Sequence, residues 1–251
     1  YDDLCEYYNV TPERALQLGT RSDGRKPSLP GSTTCSPVSG MTWEDLWDAS
    51  PRETLEQKMA FYKEIGSWLS FRQCVYRKDF DYGQFLRACP PDGHILEYGC
   101  GVAPLISHCV GHRGDNHQYK FSLVEVASEH YEFAKWRLKK RAPKTKFKFY
   151  EPTHTNPVPD FGDDTFDLVI IMDVLEHLPN PYSVMKEILL RCNDGAVLID
   201  TWIDQDDDDI GYADLQEAVD QRDETIAMMK ESLELISHPG QPIKAWRKKN
   251  V

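Results

Sequence analysis

The stretch "HILEYGCGVAPL", residues 94–105, decides how the chain is read. An apolar run climbs to an acid, Glu97, and then breaks at Gly99 and Gly101. A strand that runs into a glycine turn is the form of a nucleotide-binding loop. Glycine lets the backbone approach a ligand and takes up φ values closed to other residues. The dinucleotide fingerprint G-x-G-x-x-G needs glycine at position 104, where it allows close helix–strand packing. Position 104 is Pro, so that fingerprint fails. Pro104 suits the first turn of a helix instead, where a missing N–H costs little.

Outward from this loop, the chain after His94 alternates between two periods. "HILEYG", "YKFSLVEV", "FKFYEP", "FDLVIIMDVL" and "GAVLIDTW" read as strands. "APLISHCVG", "SEHYEFAKWRLKKR", "NPYSVMKEILLRC" and "ADLQEAVDQRDETIAMMKESL" read as helices. Asn180 is a candidate N-cap, with Pro181 at the first helical position. The core "LVII" of the fourth strand is apolar on both faces, as a central parallel strand between helix layers requires. "LELISHPGQPIKAWRKK" reads as two strands around a tight turn, which adds one antiparallel strand. Strand–helix alternation predicts an α/β fold with a parallel sheet.

The first 90 residues differ. Thr11 and Pro12 mark a helix start and Gly19 a stop. Thr20 to Gly40 is polar and rich in Gly, Pro and Ser, which predicts a loop. From Thr42 to Tyr76 the spacing predicts one or two helices, with Trp43 and Trp47 at i and i+4. Leu55, Met59 and Tyr62 form one stripe, and Ile65, Leu69 and Phe71 another. A short helix is expected in "FDYGQFLRAC". The expected division is a helical extension over 1–90 and a second domain over 91–251.

The loop also reads E-x-G-x-G-x-A: Glu97, Gly99, Gly101, Ala103. In this form the chain resembles the class I S-adenosylmethionine-dependent methyltransferases, small-molecule type. The resemblance continues along the chain. "LVEVA" puts Glu125 and Val126 where that family keeps its ribose-binding acid and the residue after it. A carboxylate there can accept hydrogen bonds from both ribose hydroxyls. "FDLVIIMDVLEHLPNP" resembles the fourth strand and following turn, and "LLRCNDGAVLIDTW" the helix, loop and fifth strand. The terminal hairpin resembles the reversed seventh strand. The resemblance covers about 94–251. It implies a doubly wound, seven-stranded, mostly parallel sheet ordered 3-2-1-4-5-7-6, with 1–90 as a lid.

It also implies S-adenosyl-L-methionine as cofactor, held by Glu97, Gly99, Cys100, Gly101, Ala103, Glu125 and Val126. Glu151 lies near where that family often has an acid contacting the adenine amine, and Asp173 and Val174 border the cofactor by topology. A general base is needed only where the nucleophile starts protonated. His177 in "DVLEH" is the candidate, since imidazole titrates near neutrality. The same segment resembles the E-V-x-E-H of ubiquinone-biosynthesis and small-RNA methyltransferases, in which two acids and a histidine hold a divalent ion. Asp173, Glu176 and His177 would match, but the further histidine of the RNA enzymes is missing after the fifth strand. The site is therefore read without a metal, with Glu176 facing solvent.

Composition narrows the acceptor. The net charge of -12 over 251 residues disfavours a nucleic-acid partner. The basic stretch Lys135 to Lys148 reads as the solvated end of a helix, because no aromatic ladder is interleaved with it. No D/N-P-P-Y/F follows the fourth strand, so base methylation has no support. The acidic run Asp204 to Asp209 reads as a solvated loop. No run of about 18 apolar residues predicts a membrane span, and the N-terminus lacks the pattern of a signal peptide. Seven cysteines, with no CxxC pair, suggest reduced thiols in a cytoplasm. The expected activity is methyl transfer to oxygen or nitrogen of a small-molecule substrate, in biosynthesis. The alternatives are a sugar, lipid-linked or RNA 3′-end acceptor, or a non-catalytic cofactor-binding module.

Overall fold

A computed structural model describes residues 2–19, 49–51, 53–76, 83–112, 119–202, 215–238 and 243–250. Expectations for Trp43, Trp47, the stretch 20–40, the run 204–209 and the turn at 239–242 lie outside these residues. The described helices are α1 (Asp2–Tyr8), α2 (Pro12–Gly19), α3 (Leu55–Glu64), α4 (Gly66–Tyr76), α5 (Gly83–Leu86), α6 (Pro104–His112), α7 (Glu129–Arg141), α8 (Pro181–Leu190), α9 (Gln216–Asp220) and α10 (Arg222–Ser232). The strands are β1 (His94–Tyr98), β2 (Lys120–Val124), β3 (Phe147–Tyr150), β4 (Phe166–Ile171), β5 (Cys192–Asp200), β6 (Leu233–Leu235) and β7 (Lys244–Lys248).

The chain forms two compact units. One holds Tyr1–Tyr82, Cys100–His112 and Glu125–Pro143; the other holds Gly83–Gly99, Arg113–Val124 and Lys144–Val251.

The second unit contains the whole sheet, ordered β3-β2-β1-β4-β5-β7-β6. The β1–β2, β2–β3, β1–β4 and β4–β5 pairs are parallel, and β7 is antiparallel to both neighbours. The order runs outward from β1 to β3 and then resumes at β4 on the other side. This is the doubly wound arrangement the resemblance implies. All five residues of β1 are buried, as are Leu168, Val169, Ile170 and Ile171 of β4. Burial on both faces explains why "LVII" does not alternate.

Two buried polar residues of this core, His94 and Asp200, have hydrogen-bond partners. His94 donates its backbone N–H to Asp167 Oδ2 at 2.8 Å, and its ring shares a 2.9 Å hydrogen bond with Ser122 Oγ. Burial lowers the His94 pKa, which favours the neutral ring. Asp200 is fully buried; it accepts the Trp246 indole N–H at 2.7 Å and the Trp202 backbone N–H at 3.1 Å.

Two boundaries differ from expectation. β5 begins at Cys192, before "GAVLIDTW". The ladder with β4 jumps from Phe166↔Cys192 to Leu168↔Val197, and the extra residues on β5 bulge out. Gly195 takes φ +75 there, and Asn193 Nδ2 donates to Asp167 Oδ1 at 2.8 Å. The long helix expected after the fifth strand is two helices, α9 and α10. The chain turns at Gln221, whose side-chain amide donates to Pro179 O at 2.9 Å and to Glu217 O at 3.1 Å.

The first unit gathers α1 to α4 with α6 and α7. Leu4, Ala15, Leu18, Phe71, Val102 and Phe133 form its core, flanked by Tyr7, Tyr8, Cys74 and Trp136. Helix α2 starts at Pro12, where Thr11 Oγ1 accepts the Arg14 N–H at 3.2 Å. Helix α1 was not expected, since seven residues are too few to show a period. Its acids explain part of the basic stretch: Asp3 pairs with Arg141 and Lys140, and Glu6 with Lys140. Burial works to raise the Asp3 pKa, but Arg141 and Lys140 together hold it below the ordinary value.

Helix α3 shows a displaced stripe. Lys58 and Phe61 are its buried residues, followed by Ile65, while Leu55, Met59 and Tyr62 are half-buried. The helix opens with a capping box: Thr54 Oγ1 accepts the Gln57 N–H, and Gln57 Oε1 accepts the Thr54 N–H. Thr54→Ala is expected to destabilise the fold by about 1 kcal/mol, read as a lower denaturant midpoint at unchanged slope.

Candidate active site

In the second unit, the carboxyl ends of β1 and β4 are neighbours, since Glu97 pairs with Ile170. Glu97 is 6% exposed. Gly99 follows at φ +69, and its N–H extends the β1–β2 ladder by donating to Val124 O at 2.8 Å. A Cβ on Gly99 would come within 2.2 Å of Val174 Cγ2. Two of the expected residues, Gly99 and Val174, therefore pack directly on each other.

Beyond β4, Asp173 adopts φ +55, a left-handed conformation that is uncommon for a non-glycine residue. A reciprocal pair with Thr201 holds it: Thr201 Oγ1 accepts the Asp173 N–H at 2.8 Å and donates to Asp173 Oδ1 at 3.0 Å. A single 3-10 turn, Leu175–His177, follows. Its His177 N–H donates to Val174 O at 2.9 Å, and the ring is half-buried. Glu176 does not face solvent. It is 5% exposed, and its carbonyl accepts the Leu215 N–H at 2.9 Å. Glu176, the middle residue of the short turn, is drawn inward because α9 packs there. Among the described residues, no three His, Cys, Asp or Glu side chains stand in a metal-holding arrangement.

Glu151 is exposed at the end of β3. The long segment after it is pinned at both ends. The Tyr98 hydroxyl donates to Pro157 O at 2.6 Å, and Asp164 accepts from Lys148 Nζ at 2.6 Å and from the Tyr150 hydroxyl at 3.1 Å. Nothing in the sequence pattern indicated either anchor.

In the first unit, the rest of the glycine loop meets Glu125. Glu125 Oε2 accepts the Gly101 N–H at 2.7 Å, and Oε1 accepts the Val126 N–H at 2.8 Å. His130 Nε2 lies 3.6 Å from Oε1 and shares a 3.2 Å hydrogen bond with Ser128 Oγ. Burial pushes the Glu125 pKa up. His130 and the two backbone N–H groups pull the other way and prevail, so the carboxyl sits below its ordinary range. Ala103 takes φ +49 and is fully buried, so the small third residue also has a conformational reason. Cys100 is buried beside it, with its thiol toward Gly101 O at 3.8 Å.

Two residues that sequence reasoning missed complete this loop. Gln73 Oε1, from α4, accepts the Val102 N–H at 3.0 Å. Arg137, from α7, donates to Val102 O and lies 5.0 Å from the Phe133 ring centroid. Arg137 was expected to be solvated with its basic neighbours and is instead 7% exposed. The signal was present: it falls four residues after Phe133, on the buried side of α7. Two aromatics of the N-terminal segment, Trp68 and Phe71, are buried packing residues.

The residues present fit the expected cofactor. Both glycines have positive φ, both lie where a Cβ would strike a neighbour, and a part-buried carboxylate stands at the end of β2. The sequence matches the model of a methyltransferase domain family over residues 68–242, well over half of the chain. The chain belongs to the methyltransferase domain family. The matched part is thus a methyltransferase domain, for which S-adenosylmethionine is the cofactor.

The fold has matches among solved structures. A candidate O-methyltransferase of Nostoc punctiforme is 12% identical, with a TM-score of 0.54 over 76% of this chain and 60% of that one. An O-methyltransferase family protein of Burkholderia thailandensis is 10% identical, with a TM-score of 0.54 over 78% of this chain and 63% of that one. The methyltransferase thus spans less than two thirds of either neighbour, and the likeness is one of fold. No curated protein matches it significantly in sequence. Among its described residues, no helix is long and apolar enough to cross a membrane.

Proposed function

We propose that this chain transfers the methyl group of S-adenosylmethionine to an oxygen or nitrogen of a small-molecule acceptor. The observation that carries the reading is the part-buried Glu125 carboxylate at the end of β2, tied to the Gly101 N–H of the glycine loop. Each carboxylate oxygen has two acceptor positions. Glu125 can therefore hold the loop and still receive ribose hydroxyls, with Val126 beside it. Glu97, Gly99, Cys100, Gly101 and Ala103 form the cofactor loop, Asp173 and Val174 its border at β4, and Glu151 receives the adenine amine.

When bound, the cofactor supplies a methyl already activated by its sulfonium. What remains for the protein is alignment, exclusion of water and, for a protonated nucleophile, proton removal. His177 is the base in this reading. Residues 1–90 set acceptor selectivity. The net charge of -12 favours a small molecule over nucleic acid. The six described cysteines are free thiols, which supports a reducing compartment such as the cytoplasm.

Titration calorimetry with S-adenosylmethionine and S-adenosylhomocysteine tests the cofactor. A folded protein that binds neither would refute the reading. Release of S-adenosylhomocysteine over a panel of phenols, alcohols and amines then identifies the acceptor class. With a phenol or alcohol acceptor, His177→Asn is expected to lower turnover by at least about tenfold at unchanged cofactor affinity. Unchanged turnover would remove His177 as the base.

A further inference from the structure

The methionine end of the cofactor carries an α-carboxylate, and a carboxylate in a partly buried site needs hydrogen-bond donors. A glycine loop would ordinarily offer its own backbone N–H groups. Here most of them are already engaged. The Gly99 N–H donates to Val124 O at 2.8 Å, Gly101 to Glu125 at 2.7 Å, Val102 to Gln73 at 3.0 Å, and Ala103 to Cys100 O at 2.7 Å. The Glu125 carboxylate beside Gly101 adds negative charge, which repels a second carboxylate. The loop therefore needs a side-chain donor.

Gln73 is placed to be that donor. Its Oε1 is fixed by the Val102 N–H, which requires an acceptor and so settles which end of the amide faces it. The NH2 group is thereby turned to the other side. Among the described residues, Gln73 Nε2 makes no hydrogen bond. A Cβ built on Gly101 would lie 2.2 Å from Gln73 Oε1 and 2.7 Å from Nε2. The Gln73 amide thus fills the space that a side chain at position 101 would take, which places its Nε2 directly beside the glycine loop. Val102 is held at both its N–H and its carbonyl, since Arg137 donates to the latter. The match to the methyltransferase family begins at residue 68, so Gln73 falls within it although it precedes the sheet.

We infer that Gln73 is a cofactor-binding residue, whose side-chain NH2 donates to the α-carboxylate of the methionine part. Its oxygen steadies the loop and its nitrogen reads the ligand, so one amide serves both. The inference rests on the proposed cofactor reading of this loop and adds a residue from α4 to it.

The test compares two ligands in calorimetry: S-adenosylhomocysteine, which has the amino-acid end, and 5′-methylthioadenosine, which lacks it. Gln73→Glu keeps the length and an acceptor for the Val102 N–H, but replaces the donor with a negative charge. It is expected to weaken S-adenosylhomocysteine binding by about tenfold or more and leave 5′-methylthioadenosine within about twofold. Gln73→Met removes donor and acceptor at similar volume. It is expected to show the same preference lost, by a smaller factor. If Gln73→Glu weakens both ligands equally, the residue only supports the loop and the inference falls. If neither ligand is affected, it falls as well. Wild-type protein that binds neither ligand would refute the cofactor reading itself, a result distinct from either of these.

Discussion

Glu125→Ala is expected to weaken S-adenosylhomocysteine binding by about 100-fold or more. Each hydrogen bond to a charged group contributes about 1.5–3 kcal/mol, and the ribose offers two hydroxyls to this carboxylate. Losing both corresponds to at least two decades in affinity. The loop suffers too, because the Gly101 and Val126 N–H groups lose their acceptor. Glu125→Gln separates the two effects. An amide offers one oxygen where the carboxylate offers two, so one of those N–H groups would face another donor. Unchanged affinity in Glu125→Ala would refute the ribose role.

The same group sets a pH dependence. The folded pKa of Glu125 lies below its ordinary value, because His130 and the two N–H groups outweigh the effect of burial. A depressed carboxyl contributes stability that is complete above the unfolded pKa, about 4.3, and is lost as pH falls through the folded value. Wild type should therefore show an acid limb below about pH 4.3 that Glu125→Gln flattens. Thermal unfolding across pH measures it.

Gly99→Ala is expected to destabilise the fold by about 3 kcal/mol. A left-handed conformation costs a residue with a Cβ about 1–2 kcal/mol. The added methyl would also meet Val174 Cγ2 at 2.2 Å, and overpacking of this kind costs about 1–3 kcal/mol. Val174 is β-branched and cannot swing clear as a long side chain can. A second substitution divides the two costs. Val174→Ala removes both γ-carbons and should return the packing share, about 1–2 kcal/mol, leaving the backbone share. Denaturant midpoints of the two single variants and the double variant measure this. Strict additivity would show that the two residues do not press on each other.

Much of this architecture was legible in the sequence because it rests on short-range patterns. The doubly buried "LVII" of β4, the Thr11-Pro12 start of α2 and the two glycines each carry their reason within a few residues. The strand order came through the resemblance that those motifs support together. What stayed hidden depends on partners distant in sequence. Gln73 lies 29 residues before Val102, Arg137 lies 35 after it, and Tyr98 anchors Pro157 across 59. Glu176 read as a surface acid because the packing of α9 against its turn has no local signature. The stripe of α3 was misplaced because Lys58 is buried through its position and not its polarity.

The bulge in β5 has a practical side. Asp194 and Gly195 are exposed, and the ladder is intact on either side of them, at Cys192 and from Val197 onward. They sit at the amino end of β5, whereas Asp173, Val174 and Thr201 lie beyond the carboxyl ends of β4 and β5. The chain thus has a spot within its central sheet where it already departs from the pairing pattern, at the far end of those strands from the β4 border residues. A fluorophore or affinity handle attached there would sit at the opposite end of these strands from that border, and would let binding be followed in a protein two of whose six tryptophans, Trp202 and Trp246, are locked in the core.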